Sequence, residues 1–73
     1  MKAGKNKFHD LGHGSSICLV WSYINQGYVV FREDSGSQGN VRVHNNHEDA
    51  LYDFGSRVDF AGQVAAARAG VEA

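Results

Sequence analysis

The 73-residue sequence predicts an α+β fold: a three-stranded antiparallel sheet, built from a β-hairpin and a short third strand, packed against one C-terminal α-helix. Three observations predict it. Residues 17–24 and 28–33 are dense in β-branched and aromatic side chains and flank Asn25-Gln26-Gly27. Val41-Arg42-Val43 then alternates apolar and charged. From residue 47 to 69, apolar side chains recur every three or four positions.

Residues 1–16 are polar, with glycines at 4, 12 and 14. Residues 1–7 read as a loose tail and 8–16 as an irregular lead-in whose Phe8 and Leu11 dock on the core. The hairpin comes next. A three-residue loop needs one left-handed residue, and Gly27 takes that conformation with no Cβ penalty. Ile24 then faces Tyr28 and Trp21 faces Phe31, and alternation sorts the side chains. One face carries Ile17, Leu19, Trp21, Tyr23, Val29 and Phe31 and serves as the core side. The other carries Cys18, Val20, Ser22, Ile24, Tyr28, Val30 and Arg32, and is too apolar for an ordinary wet surface.

Residues 34–40 form a turn cluster rich in Gly, Ser and Asn. Asn45 and Asn46 are N-cap candidates, with Glu48 in the capping-box position relative to Asn45. Beyond them Leu51, Phe54, Val58, Ala61, Ala65 and Ala69 line one helical stripe. The stripe continues through Gly55, so a single helix is expected, with Gly55 the place for a bend. Phe60, Val64 and Val71 fall on the opposite side.

Size and composition bound what the chain can do. Seventy-three residues make one domain, and a chain this short buries only about 60% of its unfolded surface. The single cysteine, Cys18, cannot form an internal disulfide, which favours a reducing compartment. The longest apolar run falls far short of the roughly 20 residues a membrane span needs, and no apolar stretch follows the N-terminal lysines as in a signal peptide. A cytoplasmic protein is expected. A net charge of −1 carries neither the basic excess of a dedicated DNA binder nor a strong acidic excess.

No strong catalytic motif is present. His9 with His13 and His44 with His47 are close pairs that could ligate zinc if brought together, but they lack the cysteine partners of a zinc finger. The glycine-rich segment 12–16 precedes a strand, whereas phosphate loops and nucleophile elbows follow one and open a helix. Cys18 sits within a dense strand and reads as a small packed residue. Neither enzymatic activity, a metal nor a cofactor is expected.

What remains is binding. The expected function is that of a small inhibitor or adaptor that sterically blocks a larger protein or ribonucleoprotein. Phage and mobile-element proteins that block host machinery, including CRISPR effector complexes, share this size and character. The partner surface is placed on Val20, Ile24, Tyr28, Val30 and Arg32, on Phe60 and Val64 of the helix, and on the acids Asp34, Glu48, Asp49 and Asp53. The acids would compete for a basic groove on the target. Two alternatives stand beside it: a nucleic-acid-binding sheet using Tyr28, Arg32 and Arg42, and a homodimer with no further activity.

Overall fold

The computed structural model describes the backbone of residues 6–72 and the side chains of residues 6–67. Four strands, β1 (Lys7–Gly12), β2 (Ser15–Ser22), β3 (Gly27–Asp34) and β4 (Ser37–His44), form one antiparallel meander in the order β1-β2-β3-β4, followed by helix α1 (His47–Glu72). The α+β architecture with a C-terminal helix agrees with the sequence. The sheet has four strands where the sequence predicts three.

The extra strand is β1, read above as tail and lead-in. It pairs with β2 from Lys7↔Leu19 to Gly12↔Ser15. It is an edge strand of mixed polarity, so it lacks the apolar alternation that marks a buried strand. The tail residues 1–5 lie outside the described residues. β4 is likewise longer than Val41-Arg42-Val43. Of the segment 34–40, only Ser35-Gly36 is the turn, and Ser37–His44 is strand. Ser35 (φ 49°) and Gly36 (φ 92°) both have positive φ, as a two-residue hairpin turn that follows the sheet twist requires. A register shift opposite Val30 and Arg32, with Asn40 at φ 53°, interrupts β4.

The β2–β3 register differs from the expectation by an odd number of residues. Trp21 faces Tyr28 and Ser22 faces Gly27, leaving the four-residue loop Tyr23-Ile24-Asn25-Gln26. The left-handed residue is Gln26 (φ 53°), held by its own side-chain amide, which donates to the Tyr23 carbonyl at 2.6 Å. Gly27 is required for a different reason. A Cβ there would lie 2.7 Å from the His44 carbonyl oxygen, so only glycine lets β3 and β4 approach so closely at that point.

An odd slip moves every side chain of one strand to the other face. Leu19, Tyr28 and Val30 therefore share the side that α1 covers, where they form the main core with Ala50, Trp21, Leu51 and Phe54. Tyr28 (2% exposed) and Val30 (0%) are core residues and not the exposed partner contacts expected of them. Val29 and Phe31, assigned above to the core side, join Cys18 and Val20 on the opposite face.

α1 runs unbroken through Gly55, as the continuous stripe implied. Asn46 is its N-cap: its Oδ1 accepts the Asp49 backbone N–H at 2.8 Å, and its amide donates to the Asp49 carboxylate at 3.1 Å. The reciprocal acid is thus Asp49 after Asn46, not Glu48 after Asn45. Both acids sit in the first turn, where the helix dipole favours negative charge. Leu51, Phe54, Val58 and Ala61 are half-buried toward the sheet, while Ala65 is exposed. A 26-residue helix is about 39 Å long, and an eight-residue strand spans about 27 Å. The helix therefore outruns the sheet. The side chains of Ala69 and Val71 lie outside the described residues.

Candidate functional site

Directly paired residues on neighbouring strands point to the same face. Phe8↔Cys18↔Phe31 forms one row across the sheet, and Val20↔Val29↔Val43 forms the next. Both rows lie on the side away from α1, and among the described residues no element crosses them. Cys18, Val29 and Phe31 are buried, whereas Phe8 is 67% exposed and Val43 45%. The result is an apolar sheet face with a buried centre and exposed side chains, Phe8 and Val43, on its two edge strands.

The charge on this face is one-sided. Asp10 and Glu33 both pair with Ser16, which places them together at one end of the apolar rows. Lys7, Arg32 and Arg42 pair with Leu19, Ile17 and Val30, so these basic side chains stand on the helix side. The open face therefore combines an apolar centre with an acidic end.

The residues singled out in the sequence are dispersed. Val20 lies on the open face, half-buried. Ile24 is 95% exposed at the tip of the β2–β3 loop. Tyr28 packs beneath the helix between Trp21 and the His47 ring, each with ring centroids 5.0 Å away, so it cannot stack a nucleobase. Arg32 and Asp34 form an exposed ion pair at 3.0 Å. The Ser15 hydroxyl, donating at 2.6 Å, together with Arg32 holds the Asp34 carboxyl below its ordinary range. Glu48 and Asp49 are exposed, with Asp49 engaged in the cap. Phe60 and Val64 are exposed on the helix, away from the open face.

Asp53 is also committed internally. Its carboxylate accepts two hydrogen bonds from Arg57, at 2.8 and 3.3 Å. His44 Nε2 lies 2.8 Å from Oδ2, the oxygen that also accepts from Arg57 Nη2. A carboxylate only accepts, so Nε2 carries the hydrogen in this contact. Burial pushes the Asp53 carboxyl up, but the hydrogen bonds from Arg57 and His44 outweigh it and hold the group below its ordinary value. The cluster clamps β4 to α1. Asp34 and Asp53, expected as free charges for a partner, are instead paired within the chain.

The two histidine pairs do not meet. His9 is on β1 and His44 on β4, the opposite edges of the sheet, and three strand spacings separate those edges by about 14 Å. Among the described residues no three His, Cys, Asp or Glu side chains group as metal ligands. Cys18 is buried and reduced, its Sγ 3.8 Å from the Ser16 hydroxyl. Among the described residues no helix is long and apolar enough to cross a membrane.

Phe8, Val43, Asp10 and Glu33 were not singled out from the sequence as surface-forming. Their signal lies only in the strand register, which sets who shares a face. No family model matches the chain, and no curated protein or solved structure matches it either.

Proposed function

We propose that this protein works by binding another protein through the open face of its sheet, as a small non-enzymatic inhibitor or adaptor that covers part of a larger partner. The observation that carries this reading is the pair of apolar rows, Phe8–Cys18–Phe31 and Val20–Val29–Val43, with no described element over them. Exposed apolar side chains at the two edges of one sheet face, Phe8 and Val43, offer anchor points for a partner.

Charge selects the kind of partner. The acidic end formed by Asp10 and Glu33 favours a surface that sets a basic side chain beside an apolar patch. A second copy meeting face to face brings no described basic side chain on that face, so a different protein suits it better. A basic, nucleic-acid-binding groove on a larger protein or ribonucleoprotein has that character, and electrostatic steering would speed the encounter.

Affinity capture with a matched set of variants tests this. Phe8→Asp and Val43→Asp should lose a partner that the parent protein and Tyr52→Ala both retain, since Tyr52 is exposed on the helix. Equal recovery with all four proteins removes the open face from consideration.

A further inference from the structure

On the other side of the sheet, a cleft of about 560 Å³ opens between strands β2, β3 and β4 and the middle of α1. It lies within the size range of small-molecule sites. Three arginines from three different elements line it: Arg32 of β3, Arg42 of β4 and Arg57 of α1. Ile17 and Phe60 supply apolar wall, and Asn40 and Ser56 add polar groups.

The charges are not balanced. Asp34 pairs with Arg32 and Asp53 pairs with Arg57, but among the described residues Arg42 has no ion pair. Arg57 is bound to Asp53 through Nε and Nη2, while its Nη1 is covered and meets no acceptor among the described residues. The cleft, which Asp53 also lines, thus holds a surplus positive charge centred on Arg42 beside an aromatic ring. Guanidinium presents paired donors that match a carboxylate or phosphate.

We propose that this cleft binds a small organic anion, its phosphate or carboxylate held by Arg42 and its apolar body resting against Phe60. Occupancy would leave the open face untouched, because the two sites lie on opposite sides of the sheet. The cleft is therefore independent of the protein-binding reading.

Nuclear magnetic resonance titration of the full chain tests it, with phenyl phosphate and benzoate as separate probes and phenol as the uncharged control. The expected result is saturable movement of the Asn40, Ser56 and Ala61 amides with at least one anion and none with phenol. Saturation by phenyl phosphate alone identifies phosphate as the group recognised, and saturation by benzoate alone identifies carboxylate. Arg42→Gln should weaken binding about 10- to 100-fold, the effect of one charge-assisted hydrogen bond, with unchanged amide positions away from the cleft. Val43→Asp should bind the probe as the parent does. Shifts that grow linearly without saturating, shifts mapping elsewhere, or equal affinity in Arg42→Gln would overturn the proposal.

Discussion

Trp21 stands directly across from Tyr28 in the β2–β3 pair, their rings edge-on with centroids 5.0 Å apart. This contact fixes which side of β3 faces the helix. Tyr28→Ala should destabilise the fold by about 3–5 kcal/mol, the range for truncating a large buried aromatic. That is enough to unfold a domain of ordinary marginal stability. Ile24→Ala, at the loop tip, should stay within about 0.5 kcal/mol of the parent. Urea denaturation of the two variants checks the contrast. A neutral Tyr28→Ala would mean that the β2–β3 register is different.

Gly27 offers a second test of register, on the other side of β3. Its missing Cβ is what permits the His44 carbonyl to approach. Gly27→Ala must push β4 outward, and overpacking of this kind costs about 1–3 kcal/mol. Hydrogen exchange should show lost protection in the β3–β4 ladder before the β1–β2 ladder. Uniform protection in the variant would show that the two strands are not in close contact there.

The clamp of His44, Asp53 and Arg57 gives the fold an acid-sensitive joint. Asp53 has a folded-state value below its ordinary 3.8. A carboxyl with a depressed folded value contributes stability that is fully present well above 3.8 and is lost as pH falls through the folded value. The stability gap between the parent and Asp53→Asn should therefore be widest near neutrality and shrink in acid below pH 3.8. Denaturation of both proteins along a pH series measures that gap. A gap that holds constant into strong acid would exclude an ionised, bonded Asp53.

The helix start is the fourth point of test. Asn46 satisfies the Asp49 N–H and also bonds its carboxylate. Asn46→Ala should cost about 1 kcal/mol, whereas Asn45→Ala should be nearly silent. Thermal melts followed by circular dichroism separate the two.

These residues also show what could be read in the sequence. The helix was legible through Gly55 because one apolar stripe of Leu51, Phe54, Val58 and Ala61 is unbroken there. The central strands were legible because both are densely apolar. Their relative register was not: Gly27 resembles a turn glycine, yet it serves a close strand approach, while Gln26 adopts the left-handed conformation. That odd displacement exchanged Tyr28 and Val30 for Val29 and Phe31. The edge strand β1 escaped notice, and β4 was legible only at Val41-Arg42-Val43, because half of their side chains face water or loop ends. The arginine cleft could not be read at all, since Arg32, Arg42 and Arg57 meet only after the helix folds back over the sheet.

Photo-cross-linking tests whether a partner sits on the sheet face opposite α1. A photoreactive side chain is placed at position 43 in one protein and at position 52 in another, and each is irradiated in its native host lysate. A discrete adduct with a larger protein is expected from position 43, absent from position 52 and suppressed when Phe8→Asp is added. An adduct from position 52 alone, or a band from position 43 at twice the chain's own mass, would contradict that expectation. The first places the partner on the helix, and the second means that the face is covered by a second copy.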